Sequence, residues 1–157
     1  MRLVRMLALV ALLAPAVSPA VSHAQTLDHD AVYAVVTKLF DGMRIRDTAA
    51  MRAAFVPSAR LQRIGATGVS SDDFSVWIAS VASAPAGVVL DERLANQVVQ
   101  VNGDLASVWV DYWFFASERF SHCGVDAFVL ARLNSEWKIL SVADTRQRDN
   151  CPPAPVP

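Results

Sequence analysis

The sequence is poor in the residues from which metal and phosphate sites are usually built. It has three histidines, two cysteines and six glycines among 157 residues. His23 lies in a segment expected to be removed and His29 at the exposed start of a helix, which leaves only His122. A metal site needs three or four converging ligands, and the segment 65–68 (GATG) lacks the glycine spacing and the lysine of a phosphate-binding loop. We therefore expect neither a metal ion nor another cofactor.

Basic residues and long apolar runs are also missing. The chain has 14 Lys and Arg against 15 Asp and Glu, and without Arg2 and Arg5 only 12 basic residues remain. This excludes a basic stripe for nucleic acid and a polybasic patch for anionic lipid. The apolar run 6–17 is interrupted by Pro15 and falls short of the ~20 residues that span a bilayer. Neither nucleic acid nor a stable membrane anchor is expected.

The N-terminal segment has instead the form of a secretory signal peptide. Arg2 and Arg5 precede the apolar run, and Ser22-His23-Ala24 places small residues where signal peptidase reads them. We predict cleavage after Ala24 and a secreted or periplasmic protein. The chain then divides into a signal peptide (1–24), one domain (25–148) and a Pro-rich tail (149–157) without regular structure.

Two cysteines in an exported chain favour one disulfide, between Cys123 and Cys151, over two free thiols. If residues 134–135 form a hairpin turn, Cys123 lies opposite position 146, only a few residues from Cys151. Closing this loop would stabilise the fold by about 3–4 kcal/mol.

Hydrophobic periodicity predicts helices first and strands afterwards. An apolar stripe predicts a helix over 28–46, Asp47 caps a second short helix to about residue 55, and Ser70 or Ser71 caps a third that ends near Pro85. A short strand at 60–64 and a loop at 65–70 lie between them. Asn102-Gly103 is a hairpin signal among the strands expected at 88–94, 95–101, 105–115, 120–133 and 136–147.

This order predicts an α+β domain in which helices cover a curved antiparallel sheet. Alternation separates two faces of the last hairpin, and both are apolar. The face with the larger side chains is expected to meet the helices: Phe128, Leu130, Trp137 and Ile139. The opposite face is expected to form a homodimer interface: Val125, Ala127, Val129, Leu140 and Val142.

The element order resembles the nuclear transport factor 2-like superfamily and its SnoaL-like branch over about residues 28–148. The resemblance rests on a Gly-Asp-led strand at 103–106 and a final hairpin with Glu136-Trp137-Lys138-Ile139. The string 120–128 (FSHCGVDAF), with Asp144-Thr145-Arg146 and Cys151, resembles an exported subgroup. The resemblance implies a cone-shaped sheet around an apolar pocket. It does not supply catalytic residues, because each enzyme group of the superfamily places them differently.

A polar cluster is predicted on the inner face of the middle hairpin. With residues 117–118 as its turn, one face carries Trp109, Asp111, Trp113, His122 and Asp126, and Phe128 joins them from the next hairpin. A β-bulge would change this facing, and Tyr112 would then replace Trp109 and Trp113. Gly124, opposite Asp111, would leave room for a ligand.

These side chains are predicted to bind a small apolar molecule, and His122, Asp126 and Asp111 are candidate acid–base groups. A charged His122 would lower the carboxylate pKa that burial raises. A purely structural hydrogen-bond cluster is the alternative. His122 and Cys123 point to opposite faces, which excludes a Cys-His nucleophile pair. Asp144 and Arg146 are interpreted as a surface ion pair, or Arg146 as a clamp on the C-terminal turn.

Three functions follow. The first is an exported small-ligand-binding domain with an apolar pocket. The second is a cofactor-free isomerase, dehydratase or cyclase-type lyase. The third is an interaction module whose pocket is filled by its own side chains.

Overall fold

The computed structural model describes residues 23–156, with side chains from residue 28 onward. The predicted signal peptide therefore lies outside the described residues, apart from its last two positions. The elements in chain order are α1 (His23–Ile45), α2 (Thr48–Ala53), β1 (Phe55–Gly65), β2 (Gly68–Asp73), α3 (Phe74–Ala82), β3 (Leu90–Asn102), β4 (Leu105–Ala116), β5 (Arg119–Leu133) and β6 (Glu136–Thr145). Within this part of the chain, no helix is long and apolar enough to cross a bilayer.

Six strands form one sheet in the order β2-β1-β6-β5-β4-β3. All neighbouring strands are antiparallel except β1 and β6, the first and the last strand in the sequence, which run parallel. The predicted α+β class with N-terminal helices and a largely antiparallel sheet is confirmed. The joining of β1 to β6 brings the early part of the chain beside the last strand.

The predicted helices form largely where the periodicity placed them. The stripe on α1 buries Val32, Val36, Leu39, Phe40 and Met43 against the sheet. The side chain of Asp47 accepts a hydrogen bond from Ala50 N at 2.9 Å and caps α2, as predicted. These contacts make α1 the main cover of the inner sheet face.

The segment before α3 differs from the prediction. Residues 68–73 form strand β2, paired with β1 in a hairpin, where a loop to residue 70 and the start of a helix were expected. The α3 cap is consequently Asp73, whose carboxylate accepts from Ser75 N at 2.8 Å, and neither Ser70 nor Ser71 caps it. The prediction failed because this strand is mostly exposed and so has no apolar alternation.

The C-terminal segment is fastened to the outer face of the sheet. Cys123 and Cys151 form a disulfide, with a Cα–Cα distance of 5.9 Å, and the predicted bond is confirmed. Cys123 pairs with Gln147, one residue beyond the predicted position, because the β5–β6 register shifts between Val129 and Leu130. Trp113 Nε1 donates to the Pro152 carbonyl at 2.7 Å. The start of the tail is thus fixed, although residues 152–156 form no helix or strand.

Gly124 is required by close packing around the end of β6. Its position faces Tyr112, and the Tyr112 hydroxyl donates to the Thr145 carbonyl at 2.8 Å across it. A methyl group at Gly124 would collide with that carbonyl and lie 2.8 Å from Tyr112 Cε1. The space predicted for a ligand beside Gly124 is therefore occupied by Tyr112.

We predict that Gly124→Ala lowers the free energy of unfolding by roughly 1–3 kcal/mol, because a backbone carbonyl cannot move aside cheaply. Thermal or denaturant unfolding followed by circular dichroism measures the change. Gly65→Ala is the matched control, since its nearest non-adjacent atom is 3.9 Å away and the residue has no positive φ. Equal losses in the two variants would contradict the packing argument.

Candidate functional site

One extra residue in β5 decides which side chains of the middle hairpin face the helices. Phe115 pairs with Phe120, but Phe114 pairs with His122, so that Ser121 is left over as a bulge. From there Trp113 faces Cys123 and Tyr112 faces Gly124. The predicted register, without this bulge, was off by one residue, and such a shift moves side chains to the other face of a strand.

Three predicted cavity residues consequently lie elsewhere. Trp109 is 55% exposed on the outer face, next to Val98 and Ala127 in the register. Asp111 also faces outward, where Asn96 Nδ2 donates to it at 2.9 Å. Trp113 is buried, but beneath the C-terminal segment on the outer side. The prediction that these three share a face with His122 and Asp126 is wrong, and Tyr112 takes their place.

The other predicted residues line a cavity between the sheet and the helices. Tyr112, His122, Asp126 and Phe128 all contribute to its wall. The cavity encloses about 60 Å³, enough for a few water molecules. Its remaining lining residues come from α1, β1, α3, β3, β6 and the residue after β6: Leu39, Phe40, Leu61, Arg63, Trp77, Glu92, Val142, Asp144 and Arg146.

This inner cavity continues into a wider vestibule of about 420 Å³. Five residues line both spaces: Arg63, Trp77, Glu92, His122 and Arg146. The vestibule adds apolar wall from α1, α3, β3 and β4, chiefly Met43, Val81, Leu90 and Phe114. The two spaces therefore meet at these five residues, four of which are ionisable, and most of the other lining side chains are apolar.

Two carboxyl groups, Asp126 and Glu92, interact in the inner cavity. Asp126 is only 4% exposed, and burial raises its pKa to about 7, with a further rise from the nearby Asp144. Burial and the neighbouring Asp126 raise the pKa of Glu92 well above its usual range. Because two close carboxylates repel each other, the pair holds a proton near neutral pH. One group can then donate a hydrogen bond while the other accepts one.

Asp144 extends this acidic row. It lies directly opposite Asp126 in the β5–β6 register, and burial raises its pKa as well. Among the described residues, its Oδ1 atom is buried and has no hydrogen-bond partner. A buried acceptor of this kind is costly unless a donor reaches it. The row therefore offers an unfilled hydrogen-bonding position next to the cavity.

His122 is a neutral member of the site. It is 6% exposed, and burial, with the positive charges of Arg146 and Arg148, lowers its pKa to about 4. Its Nδ1 lies 2.9 Å from Ser121 Oγ, and its ring packs at 5.0 Å on Phe114 and 5.6 Å on Tyr112. The expected charged His122 beside the carboxylates is not what this environment favours. An uncharged imidazole offers one donor and one acceptor.

Tyr112 is held in a single orientation. Its hydroxyl proton is given to the Thr145 carbonyl, and burial, followed by the charge of Glu92, raises its pKa. The phenol therefore stays protonated and its oxygen remains able to accept a hydrogen bond.

Sequence reasoning missed Glu92 and Arg63 as site residues and misplaced Asp144 and Arg146. Arg63 lies beside Asp144 in the parallel β1–β6 register, which no local pattern indicates. Asp144 and Arg146 face the cavity and do not form the expected surface ion pair, since the salt bridges among the described residues do not include them. The sequence did place Glu92 on a strand. That Glu92 lies near Asp126, however, depends on the β3–β4 and β4–β5 registers together.

Solved structures with this arrangement are labelled nuclear transport factor 2-like or cystatin-like. A nuclear transport factor 2-like protein of unknown function from Shewanella baltica is 16% identical, with a TM-score of 0.65, covering 83% of this chain and 100% of that chain. A protein of unknown function from Mycobacterium tuberculosis is 13% identical, with a TM-score of 0.67, covering 85% and 79%. A cystatin-like protein from Nostoc punctiforme is 11% identical, with a TM-score of 0.63, covering 82% and 95%. These likenesses show the nuclear transport factor 2-like fold that the sequence predicted.

The sequence itself places the chain in a family. Residues 27–143 match the family model described as "Putative lumazine-binding", and the protein belongs to that family. No curated protein matches the chain. The superfamily prediction is thus confirmed, whereas the SnoaL-like branch and the exported subgroup stay predictions.

We predict that the stability of the wild type relative to Asp126→Asn falls as the pH rises from ~5 to ~8. The pKa of Asp126 is about 7 in the folded protein against 3.8 as its ordinary value. The folded state therefore holds a proton that the unfolded state has lost, so this stabilisation is complete below pH ~4 and is lost as the pH rises through ~7. Denaturant unfolding across the pH range should show a change on the order of 1–3 kcal/mol.

His122 is present in both proteins, so its own titration cancels in the difference. Asp111→Asn is the matched control, because it removes a carboxylate from the outer face of the same sheet. A difference that stays constant with pH, or that equals the difference seen for the control, would show that Asp126 is not held protonated.

Proposed function

We propose that this protein binds a small, mainly apolar molecule in the inner cavity and vestibule. The observation that carries the proposal is the combination of apolar walls with a few converging polar groups, Tyr112, His122, Asp126 and Glu92. Ligand sites in proteins commonly have this composition, with the polar groups fixing orientation. The family description, which names lumazine, supports a small heterocycle as one ligand type.

The chemistry of the polar end suits a ligand with both donor and acceptor atoms. The carboxyl pair of Asp126 and Glu92 holds a proton, so it presents an O–H donor next to an acceptor oxygen. Asp144 Oδ1 lacks a donor among the described residues. A ligand carrying N–H or O–H groups beside a carbonyl would satisfy these atoms, while a purely hydrocarbon ligand would leave them unpaired.

The same proposal includes export. The charged start, the apolar run and the Ala24 site support cleavage of a signal peptide, and the Cys123–Cys151 disulfide is compatible with an oxidising compartment. The motif at 120–128, with Asp144 to Arg146, supports placement in an exported SnoaL-like subgroup. On this proposal the protein meets its ligand outside the cytoplasm.

We predict that Ser80→Trp abolishes ligand retention without unfolding the protein. Ser80 is exposed and lines the vestibule, so an indole there fills the entrance and leaves the core untouched. Native mass spectrometry of protein purified from its own compartment, with added lumazine as a second probe, reports the bound mass.

Ala79→Trp is the matched control, since Ala79 is exposed on the same helix and does not line either space. It should fold and retain ligand as the wild type does. Retention by both variants would place the ligand elsewhere. A wild type that retains no ligand on purification and binds no added lumazine would contradict the proposal.

A second candidate function is proton transfer on the bound molecule, as in a cofactor-free isomerase, dehydratase or cyclase-type lyase. The observation that favours it is the buried Asp126–Glu92 pair beside a neutral His122, because strongly shifted pKa values gather at catalytic sites. Asp126 would act as the base or acid. The Asp126→Asn protein separates the two functions, because ligand retention should persist in it while turnover should be lost.

We also propose that the outer sheet face joins two copies of the chain. Four exposed apolar side chains lie there, and Trp109 and Val98 are adjacent in the register. The four are Val98, Leu105, Trp109 and Val129. The interaction-module hypothesis combined a sheet surface that binds a partner with a pocket filled by its own side chains. The present proposal keeps the surface and does not require a filled pocket.

We predict that the wild type sediments as a dimer and that Trp109→Asp shifts it to a monomer, since a charge in an apolar interface must be desolvated. Val76→Asp is the control, because Val76 is 58% exposed on α3, away from this face. A monomeric wild type at high concentration in analytical ultracentrifugation would contradict the proposal.

A further inference from the structure

Two arginines, Arg63 and Arg146, line the inner cavity, the vestibule and a third space near the β1–β2 hairpin. Both line the inner cavity and the vestibule. Both also line a third space of about 420 Å³ along the β1–β2 hairpin, beside Thr67 and Ser70. The two arginines are therefore shared by all three spaces.

The vestibule is lined by two arginines and by one carboxyl group. Glu92 is the carboxyl group that lines it, and burial together with the neighbouring Asp126 raises its pKa, which favours its uncharged form. Arg63 has a partner, Asp72, at 3.3 Å, in a pair that is partly exposed. The salt bridges among the described residues do not include Arg146. The side chains that line the vestibule therefore include more basic than acidic groups, two against one.

The pKa of His122 also reflects the positive charge of nearby arginines. The pKa of His122 is lowered by burial first and then by the charges of Arg146 and Arg148. The charge of Arg146 thus acts on the inner cavity as well, where it also lowers the pKa values of Asp126 and Asp144 against the effect of burial.

The walls next to the arginines are apolar. Trp77 and Phe114 line the vestibule together with Val81 and Leu90. A guanidinium group donates two parallel hydrogen bonds to a carboxylate, and such a pair is strong when water is partly excluded. An apolar body beside a carboxylate matches this combination of surfaces.

We propose that the ligand is an organic carboxylate, with its acid group on Arg63 and Arg146 and its apolar body against Trp77 and Phe114. The inference rests on the proposed binding function and names the class of molecule bound. It also gives Glu92 a role, because a protonated carboxyl at that position can donate to the ligand.

The test compares ligands that differ only in their charged group. Isothermal titration calorimetry near neutral pH would use 3-phenylpropionate, 3-phenylpropanol and 3-phenylpropylamine, and the aliphatic set octanoate, octanol and octylamine. We expect the carboxylates to bind roughly ten-fold or more tightly than the alcohols, and the amines to bind most weakly. In Arg146→Gln this preference should disappear while the alcohols bind as before.

Arg60→Gln is the matched control, because Arg60 is exposed on the same strand as Arg63 and lines none of the three spaces. It removes the same charge and should keep the preference, and Arg63→Gln is a second test variant. The inference is overturned if alcohols or amines bind as tightly as carboxylates, or if the control loses the preference equally. If no member of either set binds the wild type, the inference is also overturned, whereas the binding function is judged separately by the ligand that the wild type retains in native mass spectrometry.

Discussion

The site depends on a single extra residue in β5. Ser121 has no partner across the β4–β5 pair, and beyond this bulge every side chain of the two strands takes a fixed side of the sheet. Tyr112, His122 and Asp126 are turned toward the helices, and Trp109 and Trp113 are turned away. Bulges of this kind bend a sheet and redirect side chains near functional sites. Here the bulge determines which ionisable side chains of β4 and β5 reach the cavity.

Contacts on both faces of the sheet hold the end of β6 and the segment that follows it. On the outside, the disulfide and the Trp113–Pro152 hydrogen bond hold the segment after β6 against the sheet. On the inside, Tyr112 crosses Gly124 to reach the Thr145 carbonyl of that same segment. Arg146 follows directly, so its place beside the cavity is set from both sides. The disulfide therefore contributes to the geometry of the site as well as to stability.

The sequence predicted well what depends on neighbours along the chain. The stripe of α1, the Asp47 cap, the hairpin turns and the cysteine pair all follow from local rules, and the family resemblance supplied the sheet. The site was harder, because Glu92, Asp126 and Arg63 lie on three strands that meet only in the folded sheet. A bulge was considered as an alternative, but its presence could not be decided from the sequence, and it exchanges Trp109 for Tyr112. His122, Asp126 and Phe128 lie beyond it on β5 and face the cavity. Strand β2 escaped prediction because it is mostly exposed and has little to bury.

The parallel pairing of β1 with β6 has a consequence for when the protein can fold. Phe55 lies beside Ile139, and the carbonyl of Ala54 accepts from Ile139 N at 2.8 Å. An early strand must therefore wait for the last one before half of its hydrogen bonds exist, and such distant pairing slows folding. Until the ribosome has released nearly the whole polypeptide, the helices have no complete sheet to cover. The complete core, which includes Ile139 and Val142 of β6, can therefore form only after the last strand has been synthesised.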